Sequence, residues 1–524
     1  MQAVSGSVPT FFARRATGLV RELGTFDAFN LCFAAIVVPI GATQAFLFAP
    51  ALFPGANLVI SFLIATIMAL CFGMVYMYFA ASMPRSGGDY VWVSRTLHPL
   101  LGFTVNVVLT FVPLSWVALD AALQIGYFAP SIAYLMGVKN FSLTQGQEFW
   151  IGTAINAFFF AVMLGGLRRI ARLMLVLFVV VQIGTLVWII LMLGQPHSAF
   201  VNAFNTASGT DYASFMSQAT KGGYVTAAAT GATLLGVIYA FQFFVGFNWT
   251  GYFAGEVKNV TRTVVISILG TLVVTAIVYT VASAAFYKYY GFDFAGAAVS
   301  WFNNGASTYP LNFPPYIANL AYFLSDNVII RWLIPITFLI SVLWAIPVLL
   351  IVASRNILAW SFDGLIPSWV SRVNERWNVP INSQLVVALA VEVLLLLEIY
   401  TQFWAWLINW IAVMALAFLV VCIAAVVFPY RRPDVFKASP AFVQRRIGGV
   451  PVMSVFGVLG AIAELILIGI ALSTPAIGGA VTWNSLLYAA VVPAAAIVYF
   501  LIWRAVKSRQ GINLSYLATE IPPE

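Results

Sequence analysis

Charge is scarce in this chain. Of 524 residues only 8% are Asp, Glu, Lys or Arg, 62% are hydrophobic, and the mean hydropathy is +0.96. Soluble domains carry about 25% charged residues, so the composition excludes a soluble enzyme with a membrane tail and indicates a polytopic helical membrane protein. Histidine and cysteine are almost missing, with two and three residues. His98 and His197 stand alone, and Cys32, Cys71 and Cys422 lie inside apolar runs as packing residues do, so no metal site is indicated. The first apolar run follows Phe11–Arg21 without a small-residue cleavage site, which reads as a retained span rather than a signal peptide. No nucleophile–base set, metal cluster or phosphate loop is visible, so neither an enzyme nor a cofactor is expected.

What is present is a series of membrane-length apolar runs. Twelve candidate spans lie near 26–50, 57–82, 101–128, 148–167, 170–193, 230–254, 262–288, 331–361, 383–400, 402–428, 451–473 and 482–504. With the N-terminus placed in the cytoplasm, the inside segments hold all but four of the 25 Lys and Arg residues; the exceptions are Lys139, Lys221, Lys288 and Arg331. So strong a bias supports the topology, with both termini cytoplasmic and long outer segments at 194–229 and 289–330. The net charge of +8 is then a membrane-orientation signal, and no nucleic-acid partner is expected.

Two spans are interrupted. In Phe33–Pro50 the run is broken by Pro39 and Gly41, and in Gly236–Gly255 by Gly246 and Gly251. A broken helix leaves backbone groups unpaired at membrane depth, which is tolerated where they line a cavity or bind something. Two such helices, each opening a five-helix half, point to a secondary transporter. A channel would want a continuous polar pore in place of one central interruption.

Three segments carry a family resemblance. Met83-Pro84-Arg85-Ser86-Gly87-Gly88-Asp89-Tyr90, continuing to Arg95, Pro99 and Gly102-Phe103, is the first; Gly246-Phe247 followed by Gly255-Glu256-Val257-Lys258-Asn259 and Arg262 is the second; Ser354-Arg355, Asp363-Gly364, Pro367, Val373-Asn374 and Pro380 form the third. In this order they resemble the signatures after helices 2, 6 and 8 of the amino acid–polyamine–organocation permeases. The resemblance covers roughly 20–430. Gly87 and Gly88 permit a tight turn, Pro99 suits a first helical turn, and Asp363-Gly364 is a turn signal. Arg85, Gly87, Gly88, Glu256, Lys258, Arg262, Arg355 and Asp363 are therefore candidate gating residues, whose charges would form cytoplasmic ion pairs that open and close.

The resemblance implies an all-α, leucine-transporter-like fold of 12 transmembrane helices in a 5+5 inverted repeat, with discontinuous helices 1 and 6. The implied organisation is a cytoplasmic segment at 1–25, repeats at 26–193 and 230–428, two peripheral helices at 451–504 and a tail at 505–524. It also implies an amino acid substrate between the two breaks. A helix N-terminus there suits a carboxylate and unwound carbonyls suit an ammonium. The candidate lining is Pro39, Gly41, Ala42, Thr43, Gln44 and Ala45 with Phe241, Gln242, Phe244, Gly246 and Asn248. The family's glycine triplet at the first break falls on Thr43-Gln44-Ala45 when aligned on Pro50, or on Gly41 when aligned on glycine.

No acidic side chain falls in either break, so neutral amino acids are favoured over arginine or polyamines. A cationic amino acid or polyamine transporter or exchanger of the same family, and a non-transporting amino acid sensor, are the alternatives; no soluble signalling domain supports the last. Proton-coupled members carry a lysine in helix 5 where this chain has Val181 or Gln182, and Ser341 stands alone where sodium-coupled relatives pair hydroxyls. The coupling ion, H+ or Na+, is thus open. The intramembrane acids Asp120, Glu392 and Glu464 are candidates for proton handling.

Overall fold

The computed structural model describes residues 21–225, 230–305, 308–374, 379–401, 410–474 and 483–511. Arg14, Arg15 and Arg376, most of the 1–25 and 505–524 terminal segments, and the connection following Thr401 lie outside the described residues. The described residues are predominantly helical. In chain order the helices are α1 Thr25–Ile36, α2 Val38–Leu52, α3 Leu58–Ser82, α4 Asp89–Thr96, α5 Pro99–Leu119, α6 Ile125–Leu135, α7 Gln145–Met163, α8 Leu167–Gly194, α9 His197–Ala207, α10 Tyr212–Lys221, α11 Thr230–Gln242, α12 Val260–Tyr290, α13 Phe294–Gly305, α14 Ile317–Leu320, α15 Val328–Phe362, α16 Ile381–Tyr400, α17 Trp410–Arg431, α18 Pro433–Ala438, α19 Val452–Ser473 and α20 Trp483–Arg509. Arg446–Ile447 and Val450–Pro451 form a small hairpin over Gly448-Gly449, both at positive φ as a tight two-residue turn requires.

Ten of the described helical stretches are long and apolar enough to cross a membrane, with Thr25–Leu52 counted as one. The 19-residue α7 and the 13-residue α11, which stand for the spans expected at 148–167 and 230–254, are not among the ten. The helix starts follow local chemistry. Asn57 caps α3 by accepting from the amides of Val59 (3.0 Å) and Ile60 (3.4 Å), and Asn327 caps α15 in the same way. Pro99 opens α5, where its missing N–H costs nothing. The segments at 194–229 and 289–330 hold α9, α10, α13 and α14, packed around buried Phe200, Phe204, Phe215 and Phe294.

Burial ranks the spans. In Thr25–Leu52 83% of the most apolar window is buried and in Val328–Phe362 78%, against 11% in Ala489–Arg509. The first span and α15 therefore form the centre, and α20 lies at the edge. Close approach uses small residues, as membrane helices do: a Cβ on Gly457 would meet the Cys422 carbonyl at 2.9 Å, and one on Gly460 the Cys422 sulfur at 2.8 Å, which seats α19 against α17.

Candidate functional site

The first break is a single residue, Val37. Its backbone is left-handed (φ 44°, ψ 77°), ending α1 and starting α2, while Pro39 sits in the first turn of α2. The expected positions, Gly41 or Thr43–Ala45, are both downstream of the break and inside regular helix. Pro39 explains this: proline ends the helix before it, and its fixed φ suits the start of the next. The α2 amides of Val38 and Ile40 have no intrahelical acceptor, by their place in the first turn. The carbonyl of Ile36 accepts from the Tyr279 hydroxyl at 3.4 Å.

The second break begins where α11 ends at Gln242. Gly246 takes φ +120°, and short 3₁₀ turns at Trp249–Tyr252 and Ala254–Glu256 follow. Gly251 lies within the first of these turns, where a Cβ would strike the Trp92 ring at 2.6 Å. The two breaks touch. A Cβ on Gly246 would lie 2.6 Å from Cβ of Ala35 and 3.2 Å from its carbonyl carbon, so only glycine meets both the dihedral and the space. Cys32 fastens the same contact, its sulfur 3.0 Å from the Thr250 hydroxyl and 3.2 Å from the Thr250 amide.

Between the breaks lies a cavity of about 370 Å³. From α1, α2 and the break between them it is lined by Ala35, Ile36, Val37, Ile40, Gly41, Gln44, Phe48 and Leu52, and from α11 and the segment after it by Tyr239, Gln242, Phe243 and Val245. Trp116, Leu119 and Asp120 close one wall; Ala345 and Leu349 of α15 and Ile411 of α17 close another, and Asn303 of α13, an exposed residue, stands at the mouth. Of the predicted lining, Gly41, Gln44 and Gln242 reach this cavity, while Pro39, Ala42, Thr43, Ala45, Phe241, Phe244, Gly246 and Asn248 do not. Helical period is the reason. Ile40, Gly41, Gln44 and Phe48 share one face of α2; Thr43 faces away, its hydroxyl donating back to the Pro39 carbonyl at 2.7 Å. Phe244 packs between Phe62 and Tyr279 instead. Asn248 is fully buried, and neither side-chain atom has a hydrogen-bond partner among the described residues.

Among the described residues Asp120 is the one carboxyl on the cavity wall. It begins a π-helical turn, Asp120–Gln124, between α5 and α6. Such turns widen a helix locally and often mark functional sites. The other two intramembrane acids serve elsewhere. Glu392 accepts from Thr153 (3.0 Å) and Asn156 (2.6 Å), tying α16 to α7. Glu464 is buried on α19 with neither oxygen partnered among the described residues. Sequence reasoning passed over Glu398, which is buried on α16 within electrostatic range of Asp120, with both oxygens likewise unpartnered. The rule that singled out the other three acids applies to it equally. Val181 and Gln182 on α8 do not line the cavity, and the Ser341 hydroxyl donates to the Phe338 carbonyl at 2.6 Å.

On the Arg-rich face a buried polar network joins the three motif segments. Arg355 clamps Glu256, with Nε and Nη2 each 2.7 Å from a carboxylate oxygen. Asp363 accepts from Arg95 and from the Tyr90 hydroxyl, both at 2.6 Å. Asp89 accepts from Tyr252 (2.5 Å), Asn106 (2.6 Å) and Tyr76 (3.0 Å). Burial pushes its carboxyl up to about 6 against these hydrogen bonds, which favour the charge. Gly87 and Gly88 allow the approach: Cβ atoms there would meet Ala359 at 2.5 Å and Tyr252 at 2.8 Å. Lys258 and Arg262 are exposed and form no ion pair among the described residues, whereas Glu256, Arg355 and Asp363 meet partners in this network. The Arg85 guanidinium donates to the Pro84 carbonyl at 3.0 Å.

This arrangement, two touching helix breaks and a buried polar network built from the three motif segments, agrees with the comparison of sequences. The family model described as amino acid permease matches residues 23–499. The chain belongs to the amino acid permease family. The permease is thus a multi-pass membrane protein of a transporter family, not an enzyme. Among known proteins it is similar to the branched-chain amino acid permease BcaP of Bacillus subtilis (strain 168), 25% identical over 381 residues that span 69% of this chain and 71% of that one.

Proposed function

We propose that this permease is a secondary active transporter of amino acids with uncharged side chains, working by alternating access across the cytoplasmic membrane. The observation that carries this reading is the cavity of about 370 Å³ where the two helix breaks meet. In the proposed arrangement 12 helices cross the membrane with both termini cytoplasmic. The repeats at 26–193 and 230–428 are inverted copies of a leucine-transporter-like fold. The substrate carboxylate docks at the α2 N-terminus, on the Val38 and Ile40 amides and the positive end of the helix dipole. The ammonium group faces the Ile36 carbonyl and Asp120. The side chain enters the apolar wall formed by Trp116, Leu119, Ala345, Leu349 and Ile411. A relative named for branched-chain amino acids supports this side-chain class. The network of Arg355–Glu256, Arg95–Asp363 and Asp89 acts as the inner gate.

One observation favours a second reading: Asp120 on the cavity wall supplies the carboxylate that a cationic amino acid or polyamine would need. The same experiment decides between the two. Purified protein in liposomes should take up leucine, isoleucine or valine, and these should compete better than arginine or putrescine. Stronger competition by arginine or putrescine selects the second reading; the absence of uptake under proton and sodium gradients and in exchange mode overturns both. Running the gradients separately identifies the coupling ion.

A further inference from the structure

A second, larger concavity lies on the Arg-rich face, away from the central cavity. It is a groove of about 1070 Å³ between α3 and the start of α12. Its floor is apolar, made by Met74, Met77 and Val265 with Leu269 and Phe442. Three exposed arginines from distant parts of the chain converge on it: Arg21 before α1, Arg262 in the first turn of α12, and Arg445 beside the small hairpin. Among the described residues none that lines it is acidic. Among the described residues none of the three forms an ion pair; the nearest acids in sequence are engaged, Glu22 with Arg168 and Glu256 with Arg355.

We propose that this groove binds an anionic phospholipid from the leaflet on the Arg-rich face. The three guanidinium groups take the headgroup phosphate and the apolar floor takes the start of the acyl chains. Three observations select this occupant. The uncompensated positive charge requires an anion. The floor continues along α12 into exposed Ile266, Val273 and Ile277, the kind of surface a span turns to lipid, so the ligand has a long apolar part. The chain's own residues 1–20 contain Arg14 and Arg15 and no acid, so they do not complement the arginines. This inference is independent of the transported substrate.

Native mass spectrometry of the full-length, delipidated protein tests it. The probes are phosphatidylglycerol and phosphatidylcholine with identical acyl chains, and inorganic phosphate as the soluble anion. Each arginine near an anionic group is worth roughly fivefold in affinity, so phosphatidylglycerol should bind on the order of a hundredfold tighter than phosphatidylcholine. The variant R21Q/R262Q/R445Q should lose this preference, and Arg445→Gln alone, which keeps the proposal testable if the triple variant misfolds, should lose about fivefold. The control R504Q/K507Q/R509Q on α20 should keep it. Equal retention of the two lipids by the native protein, or an equal loss in the control, overturns the proposal. Displacement of phosphatidylglycerol by millimolar phosphate also overturns it, in favour of a free-anion site.

Discussion

Arg355 on α15 and Glu256 at the end of the second broken segment form a bidentate ion pair, with both nitrogen–oxygen distances 2.7 Å and both side chains at most 3% exposed. The pair fastens an irregular, broken segment to α15, the longest of the described helices. Breaking a buried pair from one side leaves an uncompensated charge and costs about 3–5 kcal/mol. Glu256→Gln is therefore expected to lower the thermal unfolding temperature in detergent clearly, whereas E256Q/R355M should recover much of the loss. A single variant as stable as the native protein would show that the pair is solvated.

Asp89 gives the buried polar network a pH dependence. Its carboxyl stands at about 6 in the folded protein, raised mainly by burial, against about 3.9 when unfolded. The folded state thus holds the extra proton between these values. The stabilising contribution is fully present below about pH 4 and is lost as pH rises through about 6, a change of about 3 kcal/mol. Asp89→Asn removes this term. The melting temperature of the native protein relative to Asp89→Asn should fall between pH 4.5 and 6.5 and then level off; a constant difference across that range would refute the account.

Gly41 backs onto Tyr279. A Cβ at position 41 would overlap the Tyr279 hydroxyl and lie 2.9 Å from Cζ. Overpacking of this kind costs about 1–3 kcal/mol. Gly41→Ala should reduce uptake by roughly tenfold or more, and combining it with Tyr279→Phe should restore part of the loss because the colliding oxygen is gone. Additive effects of the two changes in a double-mutant cycle would argue against this contact.

Asp120 and Gln242 face the cavity from different walls. A hydrogen bond to a charged group is worth about 1.5–3 kcal/mol and a neutral one about 1. Asp120→Asn should therefore raise KM for leucine by roughly 10–100-fold, and Gln242→Ala by several-fold, in proteoliposome uptake. An unchanged KM in Asp120→Asn would remove this residue from ammonium recognition.

Much was legible in the chain alone. The scarcity of charge, the run lengths and the placement of Lys and Arg are one-dimensional properties, and they indicated a multi-pass helical membrane protein and the boundaries of most spans to within a few residues. The motif order identified the family, and Pro39, Gly246 and Gly251 marked the segments that prove irregular. Tertiary structure decided the rest. Which face of α2 lines the cavity depends on where the helix restarts, and a left-handed Val37, rather than the glycine downstream, sets that phase. Asp120 reads as one acid among several until packing brings it to the cavity wall and leaves Glu392 clamped to Asn156. The partner of Glu256 is Arg355, 99 residues away, and not the adjacent Lys258 or Arg262. Local sequence sets helix propensity and polarity, but partners so far apart meet only through packing, because hydrocarbon offers no water to satisfy a charge and burial leaves each one to the groups that the fold brings within reach.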